Sequence, residues 1–252
     1  MSRWVGSVAL VTGASAGIGK AISEKLVEAG VKVIGVARSK DKLDELAKNL
    51  SSKQGKFYAF RGDVSKEEDI LASFKWAKEN VGSISILINN AGVAPYLSFM
   101  ETPTKEWTNI LNINVLAATI GAREAIKQMD ESRIDGHIIN INSIAGQRIL
   151  GQIPNLHMYQ ASKYALTAMS ETLRINLAQL GSKIKITNIN PGMVNTDMVR
   201  PSIEHMRKMN KEAQIERPML EADDIAEAVL YALSTPKHVQ IPQLTIQAVG
   251  EP

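Results

Sequence analysis

The sequence predicts an α/β fold in which a mostly parallel β-sheet carries helices on both faces. Short apolar runs alternate along the 252-residue chain with longer amphipathic runs, which is the pattern of consecutive β-α-β units. A glycine-rich turn joins the first apolar run to the first amphipathic run, and no repeat, linker composition or long charged tract interrupts the alternation. We therefore predict one doubly wound domain over residues 1–252, with roughly seven strands in a single sheet.

The composition suits an ordinary globular core and excludes several kinds of site. With no cysteine, the chain has neither disulfides nor thiolate metal sites, and no other residue cluster suggests a metal. A net charge of +3, spread along the chain, does not indicate a nucleic-acid partner. No apolar run approaches the ~20 residues of a membrane span, and the first residues lack a signal-peptide pattern. We therefore expect a cytoplasmic protein.

The elements are predicted from the period of the apolar residues and from turn and cap signals. Ser65 with Glu68 predicts a capping box, and Thr102-Pro103 predicts a helix start with a cap and a proline in the first position. Predicted strands are residues 7–11, 32–37, 57–61, 84–88, 136–141 and 183–190, with an edge strand beginning in 238–241 and weakened by Pro242. Predicted helices are residues 20–29, 39–50, 65–80, 102–129, 157–180 and 222–233.

Three glycines follow the first predicted strand and open the first helix. Gly13 allows a tight turn, Gly17 lets the backbone approach a pyrophosphate, and Gly19 lets helix and strand pack closely. The amides of the helix N-terminus then face the phosphates. A plain strand-to-helix turn would need these three glycines by accident, so we predict a dinucleotide site of the Rossmann type.

The end of the second strand bears on the choice of dinucleotide. NAD-binding proteins place an acidic residue here for the ribose 2′-hydroxyl, whereas this chain has Ala37 followed by Arg38. A guanidinium suits a 2′-phosphate, so we predict NADP(H), with Ser15 and Lys40 as possible assistants. The alternative is an exposed arginine that merely begins a loop.

A tyrosine and a lysine lie four residues apart in the predicted helix 157–180. At this spacing Tyr159 and Lys163 share one helix face. An ammonium near a phenol stabilises the phenolate, which suits proton transfer. The alternative is a solvated helix face on which the tyrosine ring packs.

In their order along the chain, these and further residues resemble the short-chain dehydrogenase/reductase family over almost the whole sequence. The glycine spacing itself differs from the G-x-G-x-x-G of the larger dehydrogenases. The matching pieces are Thr12-Gly13-x-x-x-Gly17-x-Gly19, Asn89-Asn90-Ala91-Gly92, Asn114, Ser143, Tyr159-x-x-x-Lys163 and Pro191-Gly192 with Thr196.

The resemblance implies catalytic roles for four residues. Tyr159 would be the general acid in reduction and the general base in oxidation. Lys163 would lower the pKa of Tyr159 and bind the nicotinamide ribose. Ser143 would stabilise the substrate oxygen, and Asn114 would hold a water that links Lys163 to solvent, with Asn112 as its competitor for that role.

The resemblance also implies a site for NADP+ or NADPH that runs across the ends of the strands. Asp63-Val64 would contact the adenine, Asn90 and Gly92 the adenosine side, and Pro191, Gly192 and Thr196 the nicotinamide side. The whole predicted set is Gly13, Ser15, Gly17, Ile18, Gly19, Arg38, Asp63, Val64, Asn90, Ala91, Gly92, Tyr159, Lys163, Pro191, Gly192, Val194 and Thr196.

Within the family the chain resembles the farnesol dehydrogenases and related NADP-dependent keto-steroid and carbonyl reductases. This resemblance rests on the stretches 36–38, 62–65 and 238–241, while the glycine-rich tail of many family members is missing. We expect a substrate lid at about 193–220 and an apolar pocket. Its predicted lining is Tyr96, Leu97, Ile149, Leu150, Ile153, Met193 and Met198.

The expected reaction is therefore NADP(H)-dependent hydride transfer to or from an apolar alcohol or carbonyl, with an isoprenoid alcohol such as farnesol as the first choice. A keto-steroid or general carbonyl reductase is the alternative within the family. An NADP(H)-binding regulatory protein without turnover is the alternative of another class. Long helices around Asn114 and Tyr159 carry surplus apolar residues, so we also expect a homodimer or homotetramer.

Overall fold

The seven strands of the computed structural model, which describes residues 1–95, 98–151, 155–200 and 219–251, form one parallel sheet. Its order is β3-β2-β1-β4-β5-β6-β7, so the direction of winding reverses between β1 and β4. The strands are β1 (Val8–Thr12), β2 (Lys32–Ala37), β3 (Lys56–Arg61), β4 (Ile84–Asn89), β5 (His137–Ile141), β6 (Lys185–Pro191) and β7 (Gln243–Ile246).

Helices cover both faces of the sheet, which confirms the predicted fold class. Helices α1, α2 and α7 bury their apolar residues on one face, and α3, α5 and α6 bury theirs on the other. Because both faces are covered, the central strands are almost continuously apolar. The helices are α1 (Gly17–Glu28), α2 (Lys40–Asn49), α3 (Glu67–Asn80), α4 (Thr104–Leu111), α5 (Ala117–Glu131), α6 (His157–Gln179) and α7 (Ala222–Ser234). None of the helices within the described residues is long and apolar enough to cross a membrane.

The prediction for the last strand was wrong by several residues. The sequence placed its start within 238–241, but the strand begins after Pro242, at Gln243. Proline has no N–H to donate, so Pro242 contributes only its carbonyl, which accepts from the Asn188 N–H at 2.9 Å. The stretch before it lies beside β6 through side-chain bonds, such as that from Gln240 Nε2 to the Ile186 carbonyl at 3.1 Å.

Both predicted helix caps were also wrong. The Ser65 hydroxyl donates to the Asp63 carboxylate at 2.8 Å, and α3 begins two residues later with no side-chain cap. Thr102 donates to the Ser98 carbonyl, and Pro103 precedes the first residue of α4. In each case a nearby acceptor in the preceding turn competes for the hydroxyl.

The predicted helix 102–129 is interrupted by one π-helical turn. This turn, Asn112–Leu116, lies between α4 and α5 and carries Asn114. Single π-turns of this kind occur mostly at functional sites. Apolar periodicity did not reveal the turn, because one extra residue shifts the period only slightly.

Asparagines form a buried ladder across β4, β5 and β6. Asn89 and Asn140 are paired in register, as are Asn140 and Asn188. Asn89 Nδ2 donates to Asn140 Oδ1 at 2.9 Å, and Asn140 Nδ2 donates to Ser170 Oγ of α6 at 2.9 Å and to Asn188 Oδ1 at 3.2 Å. The ladder therefore ties three strands to the helix that carries Tyr159.

We predict that Asn140→Ala destabilises the fold by about 2–3 kcal/mol, because the polar groups of Asn89, Asn188 and Ser170 stay buried without their partner. Urea denaturation followed by circular dichroism measures the loss. Asn49→Ala, at an exposed position in α2, is the matched control and should leave the midpoint unchanged. Equal midpoints for the two variants would contradict the prediction.

Candidate active site

A cavity of about 330 Å³ opens at the carboxyl edge of the sheet, where the connections that follow β1 and β4 run in opposite directions. Crevices at this point of a doubly wound sheet are the usual ligand sites of the fold. Arg38 and Asp63 lie on the β2–β3 side of the cavity, and Ser143, Tyr159 and Lys163 lie on the β5–β6 side. The remaining predicted cofactor residues also line it, with one exception: Gly19.

The glycine turn after β1 is shaped for close contact with a ligand. Gly13 and Gly17 have φ values of +68° and +50°, which side chains rarely adopt. A Cβ at Gly19 would lie 2.4 Å from the Gly13 carbonyl oxygen, so this glycine serves packing within the turn and does not face the cavity. Asn90 Nδ2 donates to the Thr12 carbonyl at 2.8 Å and braces the turn from the end of β4.

The β2–β3 side of the cavity carries one exposed cation and one oriented carboxylate. Arg38 lines the cavity, as does Ser15, whereas Lys40 is paired with Asp44 along α2. Burial raises the pKa of Asp63, but hydrogen bonds from Ser65 and the charge of Arg38 outweigh it, so the pKa lies below its ordinary value. The Asp63 carboxylate is therefore ionised and fixed in direction.

On the β5–β6 side, a lysine is buried against the sheet. Lys163 is 5% exposed, and its Nζ donates to the Ile141 carbonyl at 2.9 Å. Nζ also lies 5.7 Å from the centroid of the Tyr159 ring. Burial lowers the pKa of Lys163 to about 8.

Tyr159 and Ser143 line the same part of the cavity. Ser143 caps the short 3₁₀-helix Ile144–Gly146, with its Oγ accepting from the Ala145 N–H at 3.1 Å. Burial raises the pKa of Tyr159, and the nearby Ser143 side chain opposes that rise only in part. The pKa of Tyr159 therefore lies above its ordinary value and the phenol carries its proton at neutral pH, while the lowering of this pKa by Lys163 stays a prediction.

Asn114 lies behind the cavity and does not line it. It is 2% exposed, its Oδ1 accepts from the Val93 N–H at 2.8 Å, and its Nδ2 donates to Ser162 Oγ at 3.0 Å. Ser162 Oγ in turn donates to the Tyr159 carbonyl at 2.6 Å. The Asn114 amide thus links the loop after β4 to the helix of Tyr159, and its role with a bound water stays a prediction.

The loop after β6 closes the cavity from the side opposite the glycine turn. Pro191, Gly192, Val194 and Thr196 line the cavity there. A Cβ on Gly17 would lie 3.2 Å from Thr196 Cγ2, so the two walls nearly touch. The sequence prediction missed several lining residues, of which Asn142 could have been found beside Ser143 and the others carry no motif signal. They include Ala16, Val93, Ile113, Asn142, Asp197 and Val199.

The predicted substrate residues are only partly brought together. Met198 lines the cavity, whereas Met193 does not, and Ile149 is 69% exposed. Leu150 is buried with Ile144 and packs against the Tyr159 ring. Tyr96, Leu97, Ile153 and the lid residues 201–218 lie outside the described residues. Within the described residues, no group of three His, Asp or Glu side chains could hold a metal ion.

The residues present fit a nicotinamide dinucleotide. The glycine turn has no side chains where phosphates must approach, and it leads into the N-terminus of α1. Arg38 could bind a ribose phosphate, and Lys163 could bind ribose hydroxyls near Tyr159. The cavity thus has a cation on its β2–β3 side and a proton donor on its β5–β6 side.

Comparison with known proteins identifies the family of the chain. A family model described as short chain dehydrogenase matches residues 7–207. The farnesol dehydrogenase of Aedes aegypti is 41% identical over 253 residues, covering 100% of this chain and 99% of that protein. Human dehydrogenase/reductase SDR family member 11 is 43% identical over 246 residues, covering 96% and 94%.

Among solved structures, an alcohol dehydrogenase from the archaeon Thermococcus sibiricus, complexed with 5-hydroxy-NADP, has a TM-score of 0.83. It is 26% identical to this chain, and the match covers 98% of both. The predicted family resemblance is confirmed, and the chain belongs to the short-chain dehydrogenase/reductase family of oxidoreductases.

Proposed function

We propose that the protein is an NADP(H)-dependent oxidoreductase that transfers a hydride between the nicotinamide and an alcohol or carbonyl carbon of an apolar substrate. The observation that carries the proposal is the convergence of Ser143, Tyr159 and Lys163 on one side of a cavity whose other side holds Arg38. A regulatory protein that only sensed the cofactor would need no such proton donor beside the site.

The proposed mechanism assigns one task to each of these side chains. Bound NADP(H) supplies or accepts the hydride. The Tyr159 phenol donates its proton to the substrate oxygen in reduction and accepts it in oxidation, while Ser143 donates a hydrogen bond to the same oxygen. Lys163 binds the ribose hydroxyls and favours the phenolate, and Asn114 holds the water that relays the proton to solvent.

For the substrate we propose an isoprenoid alcohol such as farnesol. The support is the 41% identity to a farnesol dehydrogenase over the whole chain, together with the apolar Met198 in the cavity. Among the described lining residues the cations are Arg38 and Lys163, and the proposed mechanism assigns both of them to the cofactor. A panel of isoprenoid, steroid and aliphatic alcohols and carbonyls tests the choice; faster turnover of keto-steroids than of farnesol would favour the alternative.

We predict that Tyr159→Phe lowers kcat/KM for farnesol oxidation by about a hundredfold or more, because the proton acceptor is removed. NADPH binding, followed by its fluorescence, should change by less than about twofold. Tyr164→Phe, one residue beyond Lys163 on α6 and 38% exposed, is the matched control and should keep full activity. Undiminished activity in Tyr159→Phe would refute the mechanism.

We predict that Arg38→Asp shifts the cofactor preference towards NAD(H), because a carboxylate repels the 2′-phosphate and can bind a 2′-hydroxyl. NADPH affinity should fall about tenfold or more, and NADH affinity should rise. Arg133→Asp, an exposed position between α5 and β5, controls for the change in net charge. Unchanged NADPH affinity in Arg38→Asp would overturn the cofactor assignment.

We also propose that the protein is a homodimer or homotetramer in which the helices around Asn114 and Tyr159 pair between subunits. Apolar side chains are exposed there: Leu116 by 52% and Ile175 by 43%. We predict a mass of two or four chains by light scattering, reduced by Leu116→Glu but not by Leu71→Glu on α3, where the leucine is 38% exposed. A single-chain mass for the unaltered protein would contradict this.

A further inference from the structure

The last residues of the chain fold back towards the cavity after β7. The β7 residue Ile246 accepts a hydrogen bond from the Gly192 N–H at 2.7 Å. A turn at Gly250, with φ +86°, then brings Glu251 back to Ala248. The Glu251 N–H donates to the Ala248 carbonyl at 3.0 Å, and the Ala248 N–H donates to Glu251 Oε2 at 3.3 Å. The carboxylate is therefore fixed by its own turn.

The Glu251 carboxylate contacts the loop that closes the cavity. Its Oε1 accepts from the Met193 N–H at 2.8 Å, across 58 residues of sequence. A Cβ on Gly192 would lie 2.0 Å from Glu251 Oε2 and 2.6 Å from its carboxyl carbon. The missing side chain at Gly192 thus provides the space in which the carboxylate lies.

A second set of bonds holds the same loop from the other side. The Met193 carbonyl accepts from the Leu220 N–H at 2.8 Å, and the Asn195 N–H donates to the Leu220 carbonyl at 2.8 Å. Between them, Val194 is 4% exposed. Both backbone polar groups of Met193 are therefore engaged, the N–H by Glu251 and the carbonyl by Leu220.

We propose that Glu251 is a positioning residue of the active site, which holds the cavity wall formed by Gly192 and Val194 in place. Glu251 does not itself line the cavity, whereas Gly192, Val194 and Thr196 do. Its loss leaves the Met193 N–H without its acceptor and releases the loop on the Gly192 side. Three strands, β1, β4 and β5, separate this loop from the Arg38 side of the cavity, so we expect that side to be unchanged. In its kinetic part the inference rests on the proposed function.

The decisive measurement compares two ligands that differ in the nicotinamide half. NADPH contacts the whole proposed site, whereas 2′,5′-ADP contacts only the adenosine side. We expect Glu251→Ala to weaken NADPH binding about tenfold and to leave 2′,5′-ADP binding unchanged. A tenfold change in affinity corresponds to the free energy of one charge-assisted hydrogen bond. If the protein prefers NADH, the same comparison uses NADH and ADP.

Two further variants separate positioning from general stability. Glu251→Gln keeps a carbonyl oxygen that can accept from the Met193 N–H, so NADPH affinity should return to within about threefold of the original. Val249→Ala, in the same tail but 99% exposed, should have no effect. The melting temperature of Glu251→Ala should stay close to that of the unaltered protein. An equal loss of both ligands, or no loss of either, would overturn the proposal.

Kinetics give a second readout on the same variants. In Glu251→Ala we expect kcat for farnesol oxidation to fall and KM for the alcohol to rise, with Glu251→Gln restoring both in part. An unaltered kcat and KM in Glu251→Ala would count against positioning. If the unaltered protein oxidises no alcohol, the proposed function fails, and the ratio of the two binding constants still tests Glu251 alone.

Discussion

The hydrogen bond from the Lys163 ammonium to the Ile141 carbonyl is the interaction on which the arrangement of the site depends. It joins α6 to the end of β5 at a buried position. Tyr159 lies one helical turn before Lys163, and Ser143 lies two residues after Ile141, so the two elements that this bond joins carry the phenol and the hydroxyl on the same side of the cavity. An ammonium buried with this acceptor is held in one place, and burial brings its pKa down to about 8.

Polar groups buried around this bond hold the helix and the sheet together. The asparagine ladder reaches Ser170 on α6, and Asn114 reaches Ser162 on the same helix. Each of these amides has hydrogen-bond partners, so the network stabilises the fold. The same polar groups buried without partners would destabilise it. The same helix therefore carries Tyr159 and Lys163 on the side facing the cavity and is bonded directly to β5 and to the π-helical turn of Asn114.

The two sides of the cavity differ in their chemistry because different elements build them. The glycine turn and the ends of β2 and β3 provide backbone amides, the Arg38 cation and the oriented carboxylate of Asp63. On the β5–β6 side, helix α6 provides the titratable groups, and burial raises the pKa of Tyr159 and lowers that of Lys163. A protonated phenol next to a buried lysine suits reversible proton transfer at the β5–β6 side of the cavity.

Local patterns in the sequence determined the fold class, the order of the elements and most of the cavity lining. The positive φ angles at Gly13 and Gly17 follow from glycine spacing, and the pairing of Tyr159 with Lys163 follows from helical periodicity, because both depend on neighbours within a few residues. The Ser65 and Thr102 hydroxyls donate to acceptors close in the sequence and therefore do not cap the helices as predicted. The last strand begins only after Pro242.

Only the tertiary structure decided the contacts that cross long stretches of chain. Asn114 binds Val93 and Ser162 instead of lining the cavity, and Glu251 binds Met193 across 58 residues. The direction of the Tyr159 pKa shift is likewise a sum over everything that buries the ring, which no spacing reveals. The sequence by itself thus predicted which residues bear the chemistry, and the tertiary structure decided what holds each of them in place.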